Sequence, residues 1–149
     1  MAQVVYQGFY DDLLAGTVAS TVDIRARLVM SDTTIDVDED AQNISDFTDL
    51  DECDGVGYAE LDIANSTVAY DAATDTVVID GDDGDFDGGG DIVGASSRDV
   101  TRVLVERYVD GTDSNDVPWF SLDVGPFTTS GGPFDVTWNS LGIGYLGSA

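Results

Sequence analysis

The chain has 149 residues, of which 30 are Asp or Glu and five are Arg, with neither Lys nor His, for a formal net charge of −25. Five scattered Arg cannot supply the clustered cations that displace counterions from nucleic acid, nor a polybasic hold on an anionic membrane. Without His or Lys there is no imidazole base, no Ser-His or Cys-His pair and no Schiff-base amine, and Cys53 as the sole thiol leaves no zinc site of the usual kind.

Asp outnumbers Glu by 26 to 4, and every cation is Arg. Acidic composition favours disorder, but 18 Val, 9 Leu, 7 Ile and 6 Phe are enough apolar side chains to build a core. Such a self-repelling surface suits concentrated salt, where the Debye length falls to about 3 Å near 1 M and neighbouring carboxylates are screened. Short carboxylates also stay hydrated where a Lys stem would expose apolar surface. The composition reads as adaptation to brine, in a halophilic archaeon or its virus; the alternative is an ordinary acidic mesophilic protein.

The length fits a single domain over residues 1–149. A lone Cys53 forms no internal disulfide and reads as a small, partly buried residue. The opening MAQVVYQGFYDDLLAG lacks a basic region, so no signal peptide is expected, and no apolar run is long enough for a membrane span.

Tyr6, Phe9, Tyr10, Leu13 and Leu14 recur at spacings of three and four, predicting a helix over about 6–16 ended by Gly16. From Val22 to Met30 the period is two, with Val22, Ile24, Ala26, Leu28 and Met30 facing a core and Asp23, Arg25 and Arg27 facing water. Residues 31–43 read as a polar loop, and Asn43–Phe47 as a short helical turn anchored by Phe47 and Leu50. Strands follow over Tyr58–Ala64, Thr67–Asp71 and Thr76–Asp80, the last two joined by a turn at 72–75. Residues 81–91, mostly Gly and Asp, read as a loop. Val100–Val109 is the strongest strand, and Trp119–Val124, Phe134–Trp138 and Ile143–Leu146 complete the set, with a turn at 139–142. Seven to nine short strands after one helix predict a mainly β fold, a single β-sandwich or jelly-roll-like domain with a short N-terminal helix.

Two acidic clusters are candidate cation sites. Asp83, Asp85 and Asp87 match the first half of a calcium loop, D-x-D-x-D-G, but Gly94 stands where the bidentate Glu should be. A solvated acidic loop competes with that reading, and Asp36, Asp38, Glu39 and Asp40 share the ambiguity. Loose association of Ca²⁺, Mg²⁺, Na⁺ or K⁺ with these loops fits better than one caged ion, and no cofactor is expected. Two acidic copies must meet through neutral, apolar or Arg-bearing patches, for which Arg107, Tyr108, Trp119 and Phe120 are the candidates; the alternative is that these aromatics are core.

The segments MAQVVYQGFYDDLLAG, DIRARLVMS, DGVGYAELDI, VAYDAATDTVVID and TTSGGPFDVTWNSLGI resemble a family of small virion proteins of tailed bacteriophages and related archaeal viruses. The matching positions are Phe9, Leu13, Leu14 and Gly16; Leu28 and Val29; Gly55, Gly57 and Tyr58; Val68, Asp71, Asp75 and Asp80; and Gly131, Gly132, Phe134, Val136, Trp138 and Asn139. The similarity spans most of the chain, departs from it in the acid-rich loops, especially 81–98, and carries no catalytic residue. It implies a non-enzymatic structural component of a haloarchaeal tailed-virus particle. The expected place is the capsid exterior, as an oligomeric decoration or turret protein contacting itself and the major capsid protein or other virion proteins. The alternatives are a tail or baseplate component, or a β-sandwich module binding host surface glycans. Neither nucleic acid nor membrane is an expected partner.

Overall fold

The chain opens with a strand, a helix and a second strand: β1 (Gln3–Val5), α1 (Gln7–Ala15) and β2 (Ile24–Met30). The computed structural model describes residues 3–18, 22–73, 76–86, 92–93, 98–132, 135–138 and 143–147. Tyr6, in extended backbone, precedes the helix, and Gly16 closes it at φ 70°, a left-handed conformation that costs Gly no Cβ clash. No side chain caps the helix N-terminus; instead the Gln7 and Gly8 amides donate to Glu39 O and Ala41 O. The first turn is thus closed by a loop that arrives some thirty residues later.

The helix differs from its sequence pattern in which face it buries. Phe9 and Asp12 are buried, while Tyr10, Leu13 and Leu14 are 43%, 36% and 88% exposed. The reason is Asp12, which accepts hydrogen bonds from Trp119 Nε1 and from Arg107, fixing the helix by a polar contact at the expense of its Leu pair.

Ten strands follow: β3 (Leu61–Asp62), β4 (Thr67–Asp71), β5 (Thr76–Asp80), β6 (Gly84–Asp85), β7 (Ile92–Val93), β8 (Asp99–Arg107), β9 (Val117–Thr128), β10 (Ser130–Gly132), β11 (Asp135–Val136) and β12 (Gly144–Gly147). The main sheet has five antiparallel strands in the order β1-β9-β8-β2-β3. A three-stranded sheet, β12-β5-β4, and the two pairs β10-β7 and β11-β6 complete the mainly β fold. Expected strands 67–71 and 76–80 stand as spaced, whereas the expected 58–64 strand is reduced to Leu61–Asp62. The Gly/Asp segment expected to be all loop supplies β6, while residues 87–91, part of the 72–75 turn, Phe134 and the 139–142 turn lie outside the described residues.

The sheet has a covered face on each side. On one, Ile24, Ala26, Leu28 and Met30 of β2 join Val103 and Val105 of β8 and Phe120 and Leu122 of β9. Ile79 of β5, with Phe86, Ile92 and Ile143, packs into the same core, bringing the smaller sheet against the larger. On the other, Val29 and Leu104 meet Tyr6, Ile35, Ala41, Ile44 and Phe47. Alternation leaves that side of β2 to water; instead the 31–50 loop folds over Val29, and acids from the 52–60 and 113–116 stretches close over Arg27, leaving them 0% and 4% exposed. The expected turn forms at Ile44–Asp46, with Asp46 closing a capping box with Asn43, Phe47 buried and Leu50 packed alongside.

Gly8 sits where helix, loop and sheet converge: a Cβ there would stand 2.9 Å from both Gln42 O and Pro118 O. Backbone atoms on two elements cannot yield as a side-chain tip can. Gly8→Ala should therefore cost about 1–3 kcal/mol, read as a lower denaturation midpoint in molar KCl with an unchanged slope.

Candidate functional site

Each of the five Arg is engaged with carboxylates of its own chain, and mostly with partners distant in sequence. Arg107 holds Asp12 through Nε at 2.7 Å and Nη2 at 2.9 Å, a two-point grip suited to the planar guanidinium. Arg102 holds Asp36 through Nε at 3.1 Å and lies 3.4 Å from Asp123. Arg98 joins Asp51 and Asp54. Arg25 lies 3.5 Å from Asp23 and 3.8 Å from Glu60, with its guanidinium 3.4 Å from the Tyr108 ring centroid.

Arg27 is the centre of the largest cluster. Within 4 Å of its guanidinium stand Glu52 (3.0 Å), Glu106 (3.0 Å), Asp113 (3.1 Å), Glu60 (3.5 Å) and Asp116 (3.7 Å). Glu106 and Asp116 are 0% exposed. Arg27 on β2 and Glu106 on β8 share a sheet face, since Arg25, two residues from Arg27, pairs with Glu106 in register; beside Glu106 the β8–β9 register shifts by one, with Trp119 of β9 as the extra residue next to Pro118. Glu52 also accepts from the Tyr58 hydroxyl at 2.8 Å, while Asp116 Oδ1 accepts from the amides of Val109 and Asp110. Burial pulls the Arg27 pKa down, but Glu106, Glu52 and Glu60 outweigh it and the net shift is upward. Burial pushes Glu106 up to about 8 despite the opposing pull of Arg27, and raises Glu60 in the same direction. Burial, reinforced by Glu52, raises Tyr58 as well.

The four residues expected at a subunit contact do not form a surface patch. Trp119 and Phe120 are 0% and 1% exposed and belong to the core, because Trp119 packs edge-on to Phe9 at 5.2 Å and Phe120 lies directly under Gly144. Arg107 is taken by Asp12, and the half-buried Tyr108 by Arg25. Of the expected cation-loop residues, Asp83 accepts the Trp138 amide at 2.7 Å, Asp85 lies in β6 opposite Asp135, and Asp87 falls outside the described residues. Among the described residues no group of three or more Asp, Glu or Cys is arranged to hold a metal ion. In the 36–40 cluster, Asp36 belongs to Arg102, and hydrogen bonds from Thr34 and Thr48 hold Asp38 below the ordinary carboxylate range.

Sequence reasoning missed the Arg27 cluster because period two placed Arg27 on a wet face. One signal was available: Glu occurs only at 39, 52, 60 and 106, and three of those four surround Arg27. Where Asp is the default acid, the extra methylene of Glu marks positions that must reach.

Removing Arg27 leaves the fully buried Asp116 without a counterion and the buried Glu106 carboxyl without its hydrogen-bond donor. Arg27→Met should cost about 3–5 kcal/mol, whereas Arg98→Met, which loses one exposed partner, Asp54, and one mostly buried one, Asp51, should cost less, about 1 kcal/mol. Denaturant titrations of both variants in molar KCl check the contrast. No described helix is long and apolar enough to cross a membrane. No family model, curated protein or solved structure matches this chain.

Proposed function

We propose that this chain is a structural component of a haloarchaeal tailed-virus particle, an oligomeric decoration or turret protein on the capsid exterior. The observation that carries the reading is the disposition of charge. All five Arg are committed to carboxylates within the chain, so none is left to offset the acids on the exterior, which carry most of the net charge of −25. That surface suits brine and opposes packaged DNA, whose phosphates repel it. The resemblance of the N-terminal helix, the strands and the closing segment to small virion proteins of tailed viruses supports the same reading.

Contact between acidic copies requires an uncharged place, and α1 has one. Tyr10, Leu13 and Leu14 point outward, while Asp12 is buried against Arg107 and Asp11 accepts hydrogen bonds from Gln7 and Gln42. Anchors at i, i+3 and i+4 form the kind of helix face that packs against another apolar surface. Three side chains fall short of the roughly 800 Å² per partner of a standard interface, so self-association through this face is weak in solution and gains strength in a closed array.

A second reading, a module binding host glycans, draws support from one feature. A cleft of about 310 Å³ is lined by the hydroxyl-bearing Ser31, Thr33 and Thr101 together with Asp36, Arg102 and Asp123. That mixture of hydroxyls and planar charged groups suits a polyol. A glycan array in molar salt with no hit would remove it.

Three outcomes follow for the virion reading. Carbodiimide coupling of an amine tag to surface carboxylates should mark this chain in intact particles; its absence from purified virions, or its protection in intact heads, overturns the reading. Leu14→Asp should abolish concentration-dependent association in sedimentation runs at molar KCl without changing the circular dichroism spectrum. Dilution below a few hundred millimolar salt should loosen subunit contacts or unfold the domain, as the Debye length grows to about 10 Å at 0.1 M.

A further inference from the structure

The Arg27 cluster sets five carboxylates against one guanidinium, and two of its members are left with an oxygen that ordinary pairing does not satisfy. Glu106 Oε2 lies 3.0 Å from Arg27 Nε but out of line for a hydrogen bond, and Asp116 Oδ2 stands 3.7 Å from Nη2; both atoms are buried and without a hydrogen-bond partner. A carboxylate oxygen only accepts, so another acid nearby cannot help it while both are ionised. A proton changes that: a protonated carboxyl becomes a donor, and it removes one negative charge from the most buried place in the cluster.

We propose that the Arg27 cluster is a proton-gated latch: one proton, seated on Glu106, completes the cluster, and its loss releases the 109–116 segment from the sheet. Around Arg27 and Glu106 stand Glu52, Glu60 and, bonded to Glu52, Tyr58 from the 52–60 segment, and Asp113 and Asp116 from the 109–116 segment, with Arg25 opposite Glu106 in register and 3.8 Å from Glu60. Apart from Arg27 and Arg25 none of these can become positive, and Arg25 is engaged by Asp23, Glu60 and the Tyr108 ring, so an added negative charge on Glu106 has to be met by Arg27. The member that yields first is the least enclosed, Asp113, with 55% of its side chain exposed; Asp116, buried but in the same segment and making the longest contact with Arg27, follows it.

Release is transmitted further by named bonds. Asp116 Oδ1 holds the Val109 and Asp110 amides at 2.7 and 3.2 Å, and the backbone oxygens of Asp116 and Asp113 accept from Ile44 and Ser45. Loss of the proton therefore loosens both the 109–116 segment and the Ile44–Asp46 turn that covers the second core. The direction is fixed by linkage. Burial, the largest influence on Glu106, lifts its pKa from an ordinary 4.5 to about 8 in the fold. The proton's contribution is thus complete below the lower value and is lost as pH rises through the upper one.

The scarcity of Glu makes the test direct. Wild-type protein labelled with ¹³C only at its four Glu carboxyls is titrated in molar KCl from pH 5 to pH 10, with hydrogen exchange of the Val109, Asp110, Ile44 and Ser45 amides followed in parallel. The expected result is one carboxyl signal at the protonated position at pH 7, moving with a midpoint near 8 and absent in Glu106→Gln. After correction for base catalysis, opening at the four amides should rise roughly tenfold per pH unit up to that midpoint, level off above it, and lose this dependence in Glu106→Gln. Four signals already ionised at pH 6 would overturn the proposal, as would amide opening in wild type that does not change with pH. The wild-type titration stands alone if Glu106→Gln does not fold, and Asp116→Asn then serves as the second variant, in which the Glu106 midpoint should fall.

Discussion

One guanidinium, that of Arg27, holds together five carboxylates from three stretches of chain: Glu52 and Glu60, Glu106, and Asp113 with Asp116. The rest of the structure follows from the scarcity this represents. A chain with 30 acids and five cations cannot neutralise its surface, so its cations serve where they constrain the fold most. Arg27 reaches Asp113 across 86 residues, Arg107 reaches Asp12 across 95, Arg102 reaches Asp36 across 66, and Arg98 reaches Asp51 across 47. Each closes a long loop of the unfolded chain, and the entropy of such closure grows only slowly with length, so distant pairs cost little more to form than near ones.

These staples explain why the five-stranded sheet is covered on both sides although its sequence pattern covers only one. Alternation along β2 and β8 builds the larger core without help from charge. The second face carries Arg27 and Arg102 as well as Val29 and Leu104, and bare arginines would leave it wet. The 31–54 stretch supplies the acids that bind those guanidiniums, Asp36, Glu52 and, for Arg98, Asp51 and Asp54. The same stretch brings Ile35, Ile44 and Phe47 to the sheet. Ion pairing and apolar burial here act as one event: the acids place the loop, and the loop places the second core.

That coupling also marks what could be read from sequence. Regular strands were legible, because β4, β5, β8 and β12 are short alternating or Val-rich runs bounded by Asp and Gly. The extent of the helix was legible from Gly16, but not its buried face, since a single buried Asp12 outweighs two leucines once Arg107 and Trp119 converge on it. The site was least legible. Periodicity reports which residues share a face and is silent on whether another segment arrives to cover that face, so Arg27 read as solvated and Trp119 and Phe120 stayed open between interface and core, where the structure places them in the core. Only the placement of Glu52, Glu60 and Glu106 in an Asp-dominated chain carried a trace of the cluster.

Salt divides these interactions into two classes with opposite roles. Carboxylates on the exterior repel one another through water, and that repulsion is removed once the screening length falls below their spacing. Buried contacts such as Arg27 with Glu106 are surrounded by protein, where mobile ions do not enter and screening is weak. Concentrated salt therefore relaxes the exterior while leaving the buried staples, such as Arg107 with Asp12, nearly unscreened, so added salt shifts the balance toward the folded state. A Lys-for-Arg exchange would undo the arrangement, because an ammonium offers three donors from one point where Arg27 offers a planar fork to acids on several sides. The absence of Lys from the whole chain and the burial of Arg27 are then two expressions of one constraint: with so few cations, each must be the kind that can serve several partners at once.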